Sequence, residues 1–399
     1  MLRTVPRAPT IVTFDFTPTT AARSRFSNLR FGLKPLCAAV PSERSVRVAV
    51  IGLGYVGLPL AATVAATGAN VIGVDIDLEK VKAVNAGESP LQGQEPGLAE
   101  LLKEQVSKGH LRASLEASAV SGADVVAVCV ETPIDPTTHD PSYKALKAAL
   151  AEIAPVLKRG ALVSIESTLA PGTMEGVVRP ALERGSKRTV GRDLYLVHCP
   201  ERLTTGKLLH HLTELPRVLG ANDAVSTRKA LAFYARFVKA EVHPTDWTTA
   251  EVVKTAENAY WDVQIAFANE VALISEELGV DAYRVRELVN TCPYRMMLIP
   301  GAGVGGHCIP KDSWLLVSPA VQSKPELIPT AREVPGEHGR HAELTREDDD
   351  PGAPATRCGH RDPRSVRPLR ERLCRLARPQ SRDERRGLHR TRHRPRRIS

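Results

Sequence analysis

Hydrophobic and polar positions along this chain switch repeatedly between a strand period and a helix period. Val46-Arg47-Val48-Ala49-Val50-Ile51 is a β-branched run without polar alternation, which predicts a buried parallel strand. Residues 58–67 predict a helix, and Val71-Ile72-Gly73-Val74 predicts the next strand, ending at Asp75. The alternation continues with a helix from Pro96 to Lys108 and a buried strand from Ala123 to Val130, followed by Glu131-Thr132-Pro133. A helix from Tyr143 to Leu157 leads to a strand from Ala161 to Glu166, then Ser167-Thr168 and Pro171-Gly172. A strand from Leu194 to His198 ends in Cys199-Pro200-Glu201-Arg202. Strands alternating with helices predict an α/β domain with a doubly wound, mostly parallel sheet. Polar residues follow the carboxyl end of three strands, the edge where such sheets bind ligands. Each cluster alone also reads as an ordinary cap or turn.

Further on, Pro244-Thr245 predicts the start of a long helix through Glu251, Lys254, Asn258, Phe267 and Glu270 to about Leu278, where Gly279 stops it. At about 1.5 Å per residue it spans about 50 Å. Lys254 and Asn258, four apart, share a face. A shorter helix, Tyr283 to Val289, leads through Pro293 to the richest glycine stretch of the chain, Gly301 to Gly306.

Composition changes this picture at the ends. The chain has 399 residues and a net charge of +9. Arginine is concentrated in the last forty or so residues, and residues 1–45 contain only Asp15 and Glu43 as acids. The charge therefore describes the termini and predicts no nucleic-acid partner for the body. Seven cysteines at wide spacing give neither a disulfide framework nor a metal-ligand pattern, so no metal is expected and a reducing cytoplasm fits best. The uncharged run up to Val74 is broken by Gly52, Gly54, Gly57, Pro59, Gly68 and Gly73, so no membrane span is expected.

Two stretches carry chemistry. Gly52-Leu53-Gly54-Tyr55-Val56-Gly57 joins the first strand to the first helix, and Asp75 ends the second strand. A lone GxGxxG is weak; in this order it predicts a Rossmann-type site. The first glycines make the tight turn and admit pyrophosphate to a helix N-terminus. Asp75 would bind the adenosine ribose hydroxyls, selecting NAD over NADP. In the second stretch, glycines surround Cys308, and Pro310 suits the first turn of a helix. A thiol at a helix N-terminus beside Lys311 is expected to have a lowered pKa and to act as a nucleophile. A buried structural cysteine is the alternative on that stretch alone.

Together these residues resemble the UDP-glucose/GDP-mannose dehydrogenase family over about residues 46–320. Gly52–Gly57 with Asp75 is similar to the family's NAD site, and Lys254-Thr255-Ala256-Glu257-Asn258-Ala259 to its central helix motif. Gly305-Gly306-His307-Cys308 with Asp312 is similar to its nucleophile loop. Pro200-Glu201-Arg202 followed by Gly206, and His307 before the cysteine, resemble the UDP-N-acetyl-D-mannosamine dehydrogenase branch. The resemblance implies NAD-dependent oxidation of C6 of a UDP-sugar to the uronate through a Cys308 thiohemiacetal and thioester. It implies catalytic roles for Cys308, Lys254, Asn258, Asp312, Thr168 and Glu201. NAD contacts would come from Gly52, Gly54, Tyr55, Val56, Gly57, Asp75, Lys80, Thr132 and Thr168. Substrate contacts would come from Glu201, Arg202, Leu203, Lys254, Asn258 and Gly303. A homodimer through the central helix is also implied. UDP-N-acetylglucosamine and UDP-glucose remain alternative substrates, and an inactive NAD-binding fragment is an alternative function.

The expected organisation is a disordered extension at 1–45, a Rossmann-like NAD-binding domain at 46–240, a central helical dimerisation and catalytic domain at 241–330, and an Arg/Pro-rich disordered tail at 331–399. Residues 1–45 read as a transit-like segment or, preferably, an upstream start. The family's C-terminal α/β domain, which binds UDP, is missing from the pattern. After Val334 the tail reads as a reading-frame slip in preference to a polyanion-binding segment, because apolar period disappears there.

Overall fold

The computed structural model describes residues 46–334 except Gln94 and His307; expectations for 1–45, for 335–399 and for His307 lie outside the described residues. Strands β1 (Arg47–Ile51), β2 (Asn70–Val74), β3 (Leu111–Ser114), β4 (Val125–Val128), β5 (Leu162–Ile165), β6 (Tyr195–His198), β7 (Arg217–Gly220) and β8 (Val242–Thr245) make one sheet in the order 3-2-1-4-5-6-7-8. The first six run parallel, β7 is antiparallel to β6, and β8 is parallel to β7. The order reverses between β1 and β4. That crevice, outside the carboxyl ends of the strands, is where an open α/β sheet binds its ligand.

Period-two alternation in the buried strands feeds two cores. Val48 and Val50 of β1 join one, with α1 (Gly57–Ala66), α2 (Leu78–Asn85), α3 (Leu98–Ser107), α6 (Leu208–Glu214) and α7 (Ala224–Tyr234). Ala49 and Ile51 join the other, with α4 (Lys144–Ile153), α5 (Arg179–Ser186) and Trp247 of α8 (Trp247–Leu278). Helices on both faces explain why these strands are apolar throughout. No helix among the described residues is long and apolar enough to cross a membrane.

The long helix starts later than the sequence predicts. Pro244 and Thr245 belong to β8, the outer strand of the sheet, where a residue without an N–H is tolerated. Asp246 supplies the cap, its Oδ1 accepting from the Thr249 amide at 2.9 Å. Gly279, at φ +69°, ends the helix. Helices α9 (Ala282–Val289), α10 (Ile309–Val317) and α11 (Leu327–Glu333) pack on α8. Helix α11 runs through position 331, where the tail is expected to begin: Ala331 is buried, and Arg332 Nη1 lies 3.0 Å from Asp262 Oδ1 of α8. The sequence reading also missed β3, β7, β8, α2, α5, α6, α7 and α11. The three strands, Leu111-Arg112-Ala113-Ser114, Arg217-Val218-Leu219-Gly220 and Val242-His243-Pro244-Thr245, mix polar residues, glycine or proline into four positions and so give no apolar run to read.

Candidate functional site

The coenzyme edge is built by the glycines. Gly52 has φ +89°, and a Cβ at Gly57 would fall 1.8 Å from the Gly52 carbonyl oxygen, so side chains are excluded where the loop folds on itself. A Cβ at Gly54 would meet nothing within 4 Å, leaving this backbone open to a ligand beside the α1 N-terminus. Val56, at the N-cap of α1, makes no side-chain cap. Asp75 is buried at the end of β2, and its Oδ2 accepts from the Leu53 amide at 2.7 Å while Oδ1 accepts from the Asp77 amide at 3.0 Å. Each oxygen keeps lone-pair capacity for a ribose hydroxyl. Tyr55 is exposed, its hydroxyl donating to the Gln92 carbonyl at 2.9 Å, and Lys80 stands in the first turn of α2. Thr132 after β4 donates through Oγ1 to the Thr168 carbonyl after β5 at 2.7 Å. The nine residues expected to contact NAD thus belong to one strand edge and its adjoining helix starts, and their glycine cradle fits a dinucleotide.

Helix α8 reverses the usual amphipathic pattern. Glu251, Lys254, Thr255, Asp262 and Asn269 are buried, while Tyr260, Trp261, Phe267, Ile274 and Leu278 are exposed. The polar residues recur at helical spacing and make a seam facing the sheet edge, the glycine loop and α10. Asn258 Nδ2 donates to Asp312 Oδ2 at 2.6 Å, and Lys311 Nζ lies 2.6 Å from Asp312 Oδ1. Asp312 is fully buried, so these two donors hold a carboxylate that would otherwise be costly to bury. Ser313 Oγ donates to Asp262 Oδ2 at 2.8 Å, and Asn269 Oδ1 accepts from the Gly301 amide at 2.8 Å. The seam therefore anchors both the loop before Cys308 and the helix after it. The Lys254 ammonium makes no hydrogen bond or ion pair with another described residue. The sequence offered Asp312 as a partner for Lys254; the structure pairs it with Asn258 and Lys311.

Cys308 sits at the N-cap of α10, and its carbonyl accepts from the Asp312 amide at 3.0 Å. Its electrostatics correct the expected lowered pKa. The residue reaches solvent, but protein crowding around the thiol, then Glu201, then Asp312, push its pKa up. Lys311 and Lys254 pull it down by less. The helix start and lysine are real, but two carboxylates and desolvation outweigh them.

Glu201 is buried after β6, and its carboxylate accepts from the Leu203 amide. Arg202 forks onto Glu257 of α8, with Nε at 3.0 Å from Oε2 and Nη2 on Oε1, and Nη1 reaches the Pro216 carbonyl at 2.7 Å. The loop that carries Glu201, Arg202 and Leu203 is thereby clamped to the helix that carries Lys254 and Asn258. Gly303 is exposed in the glycine loop at φ +89°.

Three features escaped the sequence reading. Glu251 is fully buried one turn before Lys254, accepting the Gly172 and Met174 amides at 2.6 and 2.7 Å; burial pushes its pKa up to about 7. The helical stripe containing Lys254 was the available signal. His139 stacks on Trp314 of α10 with ring centroids 4.0 Å apart, joining the loop after β4 to the helix that follows Cys308. Glu166, buried on β5's end, pairs with Arg217 of β7 at 3.2 Å and accepts from the Tyr234 hydroxyl. The last two join residues far apart in sequence, and no local pattern announces them.

Comparison with known proteins agrees with this geometry. The NAD binding domain of the UDP-glucose/GDP-mannose dehydrogenase family matches residues 46–238, and its central domain matches residues 248–335. The chain is 42% identical over 275 residues to a UDP-N-acetyl-D-mannosamine dehydrogenase of Pyrococcus horikoshii, covering 69% of this chain and 65% of that protein. It is 41% identical over 294 residues to an NDP-N-acetyl-D-galactosaminuronic acid dehydrogenase of Ralstonia nicotianae, covering 72% and 68%. Among solved structures, a UDP-D-ManNAc dehydrogenase from Pyrococcus horikoshii superposes with a TM-score of 0.69 at 40% identity, over 76% of this chain and 71% of that one. The match thus spans under two thirds of the first curated relative's length. With the glycine cradle, the polar seam and the Cys308 loop in one fold, and two family domains matched in order, the chain belongs to the UDP-glucose/GDP-mannose dehydrogenase family.

Proposed function

We propose that this protein oxidises C6 of a UDP-sugar to the carboxylate in two NAD-dependent steps, with UDP-N-acetyl-D-mannosamine as the substrate. One observation carries the reading: the Cys308 loop is tied to the seam that bears Lys254 and Asn258, next to Glu201 and the glycine cradle. Matched relatives named for N-acetylated sugars support the substrate class.

When bound, two NAD molecules in succession would each take up one hydride from C6. The residues of the chain do the rest. Lys254 and Asn258 stabilise negative charge on the C6 oxygen, Asn258 being oriented by Asp312. After the first oxidation the Cys308 sulfur adds to the aldehyde carbon and forms a thiohemiacetal, the thiol proton passing by way of solvent or a nearby carboxylate to the former aldehyde oxygen. After the second, C6 is a thioester on Cys308. Water adds to it, the C–S bond breaks, and the uronate leaves with the thiol restored. Glu201 and Thr168 hold that water and the substrate. Leu203 and Gly303 contribute backbone to the substrate, and Arg202 acts beside them through its clamp on Glu257. Because Cys308 must remain a thiol, a reducing cytoplasm suits the reaction. The exposed apolar stripe of α8 is the dimer face in this reading.

The test is NADH release from purified protein with UDP-N-acetyl-D-mannosamine, UDP-N-acetylglucosamine and UDP-glucose. Two NADH per sugar, fastest with the first, is the expected result. One NADH per sugar overturns the four-electron reaction, and NAD binding without turnover on any of the three overturns the activity.

A further inference from the structure

His198 has no role in the reaction above, yet it is fully buried at the carboxyl end of β6, three residues before Glu201. Its Nδ1 lies 3.0 Å from the Ile165 carbonyl of β5. A carbonyl only accepts, so Nδ1 carries the proton and Nε2 is left with a bare lone pair. That lone pair has no hydrogen-bond partner among the described residues.

The fold brings Lys254 to this place. Trp247 of α8 donates through Nε1 to the Leu196 carbonyl at 3.2 Å, so the first turn of the helix lies on β6. His198 is two residues further along β6, on the same face as Leu196. It is paired across the sheet with Gly220, where a Cβ would come within 2.8 Å of Ala250 Cβ. Helix and sheet touch here, and Lys254 is the next residue after Ala250 on that face. Lys254 is buried as well, with an ammonium that makes no bond to another described residue. A donor and an acceptor thus stand unpaired in one small region.

We propose that His198 is a positioning residue for Lys254: its neutral imidazole, fixed as the Nδ1–H tautomer by the Ile165 carbonyl, offers Nε2 to the Lys254 ammonium and holds it toward the reacting oxygen. This rests on the role given to Lys254 above. Burial first, and then Lys254, push the His198 pKa down to about 4, which keeps the ring neutral at working pH. A charged imidazole would repel the ammonium that the site needs.

The experiment reads the pair directly, without turnover. Long-range nitrogen–proton correlation spectra of histidine-labelled full-length protein are recorded from pH 5 to 8.5. The His198 ring is expected to remain the Nδ1–H tautomer throughout. Lys254→Met should move the Nε2 resonance toward the position of an unbonded acceptor, and Lys254→Arg should leave it nearer the wild-type position. An Nε2 resonance indifferent to both substitutions overturns the proposal, as does an Nε2–H tautomer. A kinetic arm separates positioning from packing. His198→Asn keeps a donor for the Ile165 carbonyl but removes the second acceptor, and should lower kcat about tenfold with KM little changed. His198→Gln, which can present an oxygen near the Nε2 position, should recover part of that loss. A coupled resonance in a protein without turnover would keep the His198–Lys254 pair and remove only the reaction assigned to it. Equal loss of kcat in both His198 variants, with Nε2 unmoved by Lys254→Met, reduces His198 to packing.

Discussion

Asn258 Nδ2 donates to Asp312 Oδ2 at 2.6 Å, and this bond joins the central helix to the helix that begins at Cys308. Asp312 has no exposed surface, and its removal leaves two half-buried donors, Asn258 and Lys311, without their shared acceptor. Asp312→Asn should lower turnover at least about a hundredfold, because Asn258 loses its orientation in the transition state. NAD affinity should stay within about twofold, since no atom of the coenzyme edge is touched. Calorimetric titration with NAD beside NADH-release kinetics checks both parts; equal losses in both would sink the division of labour.

Asp75 serves the loop and, in the proposed reading, the ribose as well. Its Oδ2 holds the Leu53 amide inside the glycine turn. Asp75→Ala should therefore weaken NAD binding by about tenfold or more, since truncation strands a buried amide and removes the ribose acceptor. It should also narrow the preference for NAD over NADP, because the carboxylate no longer repels a 2′-phosphate. Dissociation constants for both cofactors, with and without the substitution, decide it. Equal affinity for NAD and NADP in the unmodified protein would end the assignment.

The parallel sheet was legible because β1, β2, β4, β5 and β6 are mostly apolar, β-branched-rich runs bounded by glycine or polar residues. The glycine cradle was legible because Gly52 and Gly57 meet steric demands that no other residue satisfies. The start of α8 was not, since Pro244 reads as a helix-initiating residue until the edge strand claims it. The pKa direction at Cys308 was not legible either. Sequence places Lys311 beside the thiol, but only the fold brings Glu201, over a hundred residues earlier, close enough to oppose it. Arg202 shows the same limit, because its clamp on Glu257 depends on how β6 meets α8.

That opposition makes Cys308 measurable. Carboxylates at Glu201 and Asp312 disfavour the thiolate, so alkylation by iodoacetamide should still be rising at pH 9 in the wild-type protein. Glu201→Gln removes a negative charge, lowers the thiol pKa and should speed alkylation at pH 8. Lys254→Met removes a positive charge and should slow it. A rate that does not respond to Glu201→Gln would show that the carboxylate does not act on the sulfur.

Tyr260, Trp261, Phe267, Ile274 and Leu278 leave a long apolar surface on α8 open to solvent. Monomeric proteins seldom expose such a stripe, and in the proposed reading a second copy of the same helix covers it. Phe267→Asp should convert a dimer into monomers in sedimentation velocity without unfolding the sheet, whose core this residue does not enter. A wild-type protein that sediments as a monomer at tens of micromolar would exclude the dimer.

Glu251 gives the fold a pH dependence of its own. Burial is the main cause of its raised pKa, about 7 against an ordinary value of 4.5, and the Gly172 and Met174 amides only partly offset it. A group whose pKa is raised by folding stabilises most when protonated. The contribution is complete below about pH 4.5 and is lost as pH rises through about 7. A shift of two to three pH units corresponds to roughly 3 kcal/mol. The melting temperature should therefore fall across that window by several degrees more in the wild type than in Glu251→Gln, which cannot ionise. The glutamine can accept from only one of the two amides, so the variant starts from a lower stability at pH 5 and the curves converge toward pH 8. Parallel curves for the two proteins from pH 5 to 8 would mean that Glu251 titrates at its ordinary value, despite lying wholly beneath the surface.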